Sequence, residues 1–430
     1  MNVNRRTFIG GLGLGALSAV GAVGAILPGG STPLTLPALP PFDPAAAEGF
    51  WRQVRSLYPI KDDPLYLNTG GLGPVSQPVL DQFVHTLQKL QEHSETGYDR
   101  HEPARETLAR FLGVSADEVC FTRNATEANS IVAAGLTLKP GDEVIFDSHA
   151  HPGGSFPWLN QARQRGVEVR LFEPDSGSAE ANLARIRELI TARTRVIQVS
   201  HITCTNGVLL PVAEIATMAR ERGIWFHGDG AQAVGMIPVN LDQLGFDSYA
   251  MSGHKWLGGP HETGVLYLRR SQLEAVAPTG IGAHSGELTQ LPGELTYRAA
   301  AWRHEYGTRN AAAVVGLEQA VRLQESIGRD RIAAYGRGLS TFLVDAFADI
   351  DGIEILTPGL PELRGSMVTI RHPRANAAKF YTYLLKEHRL RCRPVTEQGL
   401  EAVRISTHVF NSLADCDRVI KGVAASLRAL

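Results

Sequence analysis

Cysteine is scarce in this chain. Only four occur in 430 residues, and Cys120, Cys204, Cys392 and Cys416 lie far apart. No C-x-x-C pair is present, so neither a structural zinc site nor a small disulfide scaffold is indicated. Each cysteine reads first as a small buried hydrophobe. A charge bias is missing too: 42 Lys and Arg stand against 44 Asp and Glu, a formal net charge of −2. That balance argues against nucleic acid as the main partner, which would call for a basic excess. No internal repeat is visible, and no H-E-x-x-H pattern marks a metal-binding helix. A strongly apolar membrane span is also absent. The run Gly10–Leu27 is only mildly apolar, and its glycines are poor helix formers.

What is present begins with an address. Asn4–Arg5–Arg6–Thr7–Phe8–Ile9 is a twin-arginine pattern ahead of that Gly/Ala-rich run. Such a signal is read by a receptor and is not an anchor. It predicts the twin-arginine (Tat) export machinery as a partner, a periplasmic or otherwise exported location, and no stable membrane span in the mature form. A disordered basic leader is the alternative. Residues 1–45 are expected to be signal and proline-rich linker, with an N-terminal segment over 46–62.

From Glu118 onward, strand-like and helix-like stretches alternate. Candidate strands are Val119–Thr122, Glu143–Phe146, Val167–Leu171, Thr194–Ser200, Ile224–His227, Ser248–Met251 and Thr263–Leu268. Helical stretches between them include Thr126–Gly135, Glu180–Ile190 and Val212–Arg222. This alternation predicts an α/β protein with a mainly parallel sheet covered on both faces. Ligands on such sheets bind beyond the carboxyl ends of the strands. After Gly307 the pattern changes to long helices, Asn310–Ile327 and Arg329–Asp349, followed by short strands and two more helices. The expected division is a large domain over 63–306 and a small α+β domain over 307–430.

The central stretch is Met251–Ser252–Gly253–His254–Lys255–Trp256–Leu257–Gly258–Gly259–Pro260. A strand-like run feeds a polar turn that carries a lysine. A lysine at a strand end is partly desolvated, which lowers its pKa and frees its amine as a nucleophile. Ser252 and His254 supply donors suited to an oxyanion such as phosphate. Taken alone, this is equally a surface lysine in a turn. Three further stretches change that: Phe226–His227–Gly228–Asp229–Gly230–Ala231–Gln232, Thr122–Arg123–Asn124–Ala125–Thr126–Glu127 and Glu305–Tyr306–Gly307–Thr308–Arg309–Asn310.

In order and spacing, these motifs resemble the class V aminotransferase family, the fold-type I enzymes that use pyridoxal 5′-phosphate (PLP). The resemblance covers nearly all of the chain after about Asp63. It implies an aspartate aminotransferase-like fold, with a seven-stranded large domain and a small C-terminal one. It implies that Lys255 joins the cofactor through a Schiff base and moves protons at the substrate Cα. Asp229 would face the pyridine nitrogen, and Gln232 the phenolic oxygen. His151 takes the place of the aromatic that stacks on the ring, with His149 as the competing register. Ala125 and Thr126 open a helix whose N–H groups suit the phosphate, assisted by Ser252 and His254. In family homodimers the counterpart of Gly307–Thr308 reaches the phosphate from the neighbouring subunit. Arg404 matches the arginine that grips the substrate α-carboxylate. The glycine loop Asn68–Pro74 matches one that lines the substrate side of the cofactor.

The sequence departs from the cysteine desulfurase branch. Cys392 is the only candidate for the reactive loop cysteine, and its spacing to Arg404 is short. Cys204 is placed near the phenolic oxygen instead. The stretches Gly307–Asn310 and Arg404–His408 are closer to the isopenicillin N epimerase-like branch, which includes a twin-arginine-exported enzyme that tailors the siderophore pyoverdine. The expected function is therefore an exported, dimeric PLP enzyme acting on the amine-bearing Cα of an amino acid or peptide-like substrate. It would be of epimerase, aminotransferase or siderophore-tailoring type. The alternatives are a cysteine desulfurase or β-lyase, a metal enzyme using His149, His151, His227 and Asp229, and a non-catalytic binding protein.

Overall fold

Alternation of side chains along seven strands builds the central sheet. In the computed structural model these are β1 (Val119–Thr122), β2 (Glu143–Asp147), β3 (Glu168–Phe172), β4 (Thr194–Ser200), β5 (Trp225–Asp229), β6 (Ser248–Ser252) and β7 (Gly264–Leu268). The structure describes residues 33–287 and 290–430, so the twin-arginine pattern lies outside the described residues. The strand order is β1-β7-β6-β5-β4-β2-β3. Only β7 runs against its neighbours; the other pairs are parallel. Each expected strand is present within two residues of its expected ends.

Because successive side chains point to opposite faces, each strand serves two cores. On one face Phe121, Ile145, Phe226, Tyr249 and Val265 meet Leu108, Ile215 and Leu317. On the other, Cys120, Val144, Phe146, Ala250 and Leu266 meet Ala128, Val132 and Trp158. Except in the edge strand β3, burial on both faces is why the strands read as largely apolar runs.

The longer helices are α1 (Ala47–Ser56), α2 (Gln77–Glu92), α3 (His101–Leu112), α4 (Ala125–Gly135), α5 (Pro152–Arg165), α6 (Ala179–Leu189), α7 (Val212–Arg220), α8 (Ala311–Ile327), α9 (Arg329–Ala348), α10 (Ala377–His388) and α11 (Leu413–Ala429). The sequence reading does not anticipate α5. Gly153, Gly154 and Pro157 break its helical pattern, and burial of Trp158 holds it in place.

A second sheet, β8 (Glu354–Ile355), β9 (Met367–Arg371), β10 (Arg393–Val395) and β11 (Ala402–Ser406), is antiparallel in the order β8-β9-β11-β10. The single strand expected over Leu390–Pro394 is in fact two. Leu390–Arg391 pairs with Leu65–Tyr66, and after Cys392 the chain joins β11. Helices α9, α10 and α11 cover this sheet with Phe347, Phe380 and Val419.

Helix α8, grouped by sequence with the C-terminal unit, packs Leu317 and Val321 into a core of the large sheet. The part of the expected linker that the structure describes is laid against the body. Leu36, Leu39 and Phe42 pack near Phe50 and Phe410, and the Leu34 backbone bonds Gln82 and Gln319. Prolines make this segment extended, and its leucines and phenylalanine make it adhere.

Of the seven buried histidines among the described residues, four are strongly shifted: His201, His227, His304 and His408. Burial pushes each down to about 4, from an ordinary value of 6.5. As pH falls through 6.5, the unfolded chain takes up these protons and the folded chain does not. Their stabilising contribution is therefore complete above pH 6.5 and is lost towards pH 4. The expected outcome is a melting temperature that drops between pH 7 and pH 5. His304→Leu should make the drop shallower, by roughly one proton, or about 1.4 kcal/mol per pH unit. Thermal melts across that range, wild type beside variant, check it.

Candidate active site

Three of the four marked stretches converge on a cavity of about 260 Å³ beyond the carboxyl ends of β1, β4, β5 and β6. Ala125, Thr126, His151, Asp229, Gln232, Ser252, His254, Lys255 and Arg404 all line it. Thr308 does not. Its hydroxyl meets the Tyr98 hydroxyl at 2.9 Å, beside a separate cavity that also includes Arg123, Tyr306 and Arg309.

One wall is the start of α4. Asn124 caps it, its Oδ1 accepting from the Glu127 N–H at 2.9 Å. The Ala125 N–H points to Ser252 Oγ at 3.3 Å, so the lysine-bearing turn and the helix start are joined. The adjoining wall is the start of α5, whose Gly153 lies against Thr126. His151 caps that helix, with Nδ1 accepting from the Gly153 N–H at 3.0 Å. The proton of the neutral ring therefore sits on Nε2. His149 is held elsewhere: its Nε2 lies 2.8 Å from Glu173, and its Nδ1 2.6 Å from Thr205. Of the two registers, the structure places His151 at the cavity.

Asp229, at the end of β5, accepts from the Ala231 N–H at Oδ1 and from Asn129 Nδ2 at Oδ2, both at 3.0 Å. Lys255 is half-buried and has no hydrogen-bond or ion-pair partner among the described residues. Desolvation lowers its pKa most. Arg404 and Arg393 add to that, while Asp229 and Cys204 oppose it. Gln232 bridges the glycine loop and the lysine turn: its Nε2 donates to Gly70 O at 2.8 Å, and its Oε1 accepts from Trp256 Nε1 at 2.7 Å. One amide N–H is left over for a ligand.

Arg404 is almost wholly buried. Nη1 donates to the Cys204 carbonyl and Nη2 to Asn68 Oδ1 at 3.0 Å, while the buried Nε has no partner. Burial, and then the nearby Arg393, push its pKa down to about 10. Arg393 stands directly across from it in the β10–β11 register and is ion-paired to Glu397. The sequence reading missed Arg393 as a lining residue, although its alternation with Arg391 around Cys392 was a usable signal. Asn129 was missed as well, because nothing local links it to Asp229, which is 100 residues away.

Of the four cysteines only Cys204 lines the cavity, and burial raises its thiol pKa. Cys392 is sealed among Phe380, Leu390 and Ile405, its thiol pushed up to about 12. Among the described residues no group of three His, Cys, Asp or Glu is arranged to hold a metal ion.

A family model described as Aminotransferase class-V matches residues 75–419. This chain belongs to the class V aminotransferase family. It is 28% identical to isopenicillin N epimerase of Streptomyces clavuligerus, over 87% of this chain and 98% of that one. It is 33% identical to a cysteine desulfurase of Haloferax volcanii, over 85% of this chain and 84% of the relative. An apo cysteine desulfurase from Thermococcus onnurineus NA1 superposes with a TM-score of 0.80 at 25% identity, covering 88% of this chain and 98% of the other. Class V membership makes the chain a PLP-dependent enzyme.

The residues present fit that cofactor. The orphaned Arg404 Nε and the unpartnered Lys255 amine are groups awaiting a ligand. Glycines keep the cradle open. A Cβ on Gly154 would lie 2.8 Å from Asp229 Oδ2, and one on Gly153 would lie 2.2 Å from Thr126 Oγ1. Gly73 matters most, because a Cβ there would lie 1.7 Å from the Lys255 carbonyl oxygen. Gly73→Ala must therefore push the lysine turn aside. The expected outcome is a loss of stability of about 1–3 kcal/mol, together with weaker PLP binding. Denaturant titration and PLP titration of the apoprotein check the two effects separately.

Proposed function

We propose that this class V enzyme is exported and acts on the amine-bearing Cα of an amino acid or peptide-like substrate, as an epimerase, aminotransferase or siderophore-tailoring enzyme. The observation that carries the reading is the unpartnered Lys255 amine, in one cavity with Asp229 and Arg404. When bound, the cofactor supplies a sink for the electron pair released as the Cα–H bond breaks. Asp229 holds the ring nitrogen protonated. The N–H groups at the start of α4, with Ser252 and His254, hold the phosphate. Arg404 takes the substrate carboxylate. Lys255, with its lowered proton affinity, accepts the Cα proton. Return of a proton to the opposite face of Cα gives epimerisation, with His151, once it has taken up a proton from solvent, as the cavity group proposed to deliver it.

A cysteine desulfurase is the second reading, favoured by the Haloferax volcanii relative. Against it, no cysteine presents a ready thiolate: Cys204 is raised by burial and Cys392 lies in a core. A pure binding protein has no use for an unpartnered lysine of lowered pKa. Assembly as a homodimer is part of the proposal. Thr308 lies outside its own cavity, which supports a role at the phosphate of a neighbouring copy.

Two outcomes test the reading. Purified protein should show a visible cofactor band that Lys255→Ala loses and that a substrate amine perturbs, while cysteine releases no sulfide. A colourless protein that PLP cannot reconstitute would sink it. For export, Arg5→Lys with Arg6→Lys should leave the enzyme in the cytoplasm, whereas the unaltered chain is recovered with periplasmic contents. Equal distribution in cell fractionation would count against the twin-arginine route.

A further inference from the structure

We propose that Asn129, His227 and Ser248 are positioning residues, a one-way hydrogen-bond wire that holds Asp229 as a fixed acceptor toward the cofactor ring nitrogen. Trp225, His227 and Asp229 share one face of β5, since side chains alternate along a strand. Ser248 is the register partner of His227 on β6. Asn129 comes from α4, which lies across that face.

The direction of every link is set by the two ends. Trp225 Nε1 can only donate, and it does so to Ser248 Oγ at 2.9 Å. The Ser248 hydroxyl is then free to donate to His227 Nδ1, 2.7 Å away. With Nδ1 accepting, the His227 proton is on Nε2, which donates to Asn129 Oδ1 at 2.8 Å. Asn129 Nδ2 donates to Asp229 Oδ2 at 3.0 Å, and its second N–H faces Gly153 O at 3.2 Å. A flipped Asn129 amide would set oxygen against oxygen at both contacts, so its orientation is determined. Burial keeps His227 neutral, its pKa lowered to about 4, so the wire does not reverse at ordinary pH.

Linked donors polarise one another, and the last of them ends on a carboxylate. With the Ala231 N–H on the other oxygen, both carboxylate oxygens of Asp229 accept a hydrogen bond and the group is held in place. A free carboxylate could rotate toward Lys255. The wire prevents that and leaves the acceptor strength of Asp229 for the ring. The wire spans roughly 13 Å of strand, at about 3.3 Å per residue. It carries no reacting atom.

The inference rests on the PLP reading, and the test separates the two. Apoproteins of wild type, Asn129→Leu, Ser248→Ala and Ser248→Thr are reconstituted with PLP. The dissociation constant is read by fluorescence, and the pH midpoint of the cofactor absorption band by titration. Failure of the wild type to bind PLP would overturn the functional reading beneath the inference. The expected result is PLP binding about 10- to 100-fold weaker in Asn129→Leu, the scale of one hydrogen bond to a charge. Its band midpoint should move by about one unit. Ser248→Ala should move both in the same direction, and Ser248→Thr, which keeps the hydroxyl, should restore them. Variants that melt at lower temperature but keep the wild-type constant and midpoint would overturn the wire and leave these residues only structural.

Discussion

The carbonyl oxygen of Trp256 accepts two hydrogen bonds from distant parts of the chain, and the site depends on them. Gln324 Nε2 on α8 donates at 2.7 Å, and His408 Nε2, just beyond β11, at 2.9 Å. On the other side of the lysine, the Gly73 N–H donates to His254 O at 2.8 Å. Lys255 therefore sits between two pinned carbonyls, on a turn held by α8, the glycine loop and the second sheet. A long flexible side chain gains a defined origin only when its backbone cannot move.

Charge and burial do the rest. Lys255, Arg393 and Arg404 line a cavity in which Asp229 is the one carboxylate. Desolvation lowers the proton affinity of Lys255 and Arg404; Arg404 and Arg393 lower that of Lys255 further, and Arg393 that of Arg404. Such a surplus draws anionic ligands, and a phosphate and a carboxylate are what this family handles. The same burial that makes the cations strong binders makes the thiols of Cys204 and Cys392 poor ones.

Much of the fold was legible because local and global preferences agree. Apart from the edge strand β3, the strands of the central sheet are buried on both faces, and the segments between them repeat at helical spacing. Reading failed where that agreement breaks. Helix α5 contains residues that disfavour helices and persists because Trp158 is buried. The run 390–394 looks like one strand and is two, because its halves find partners in different sheets.

The site divides along the same line. Lys255, Asp229, Arg404 and the α4 start stood out in the sequence, because their chemistry is carried by short motifs at strand ends. The choice of His151 over His149 could not be made there. Two histidines two residues apart are equivalent until Glu173 and Thr205 claim one of them. Arg393 and Asn129 are site residues only through strand register and helix crossing, which no local pattern encodes. Sequence alone determined which chemical groups this protein carries and the order of its elements, since periodicity and motif are local properties. Tertiary structure decided which groups meet, which are desolvated and which way each hydrogen bond runs, since those depend on contacts between residues 100 or more positions apart.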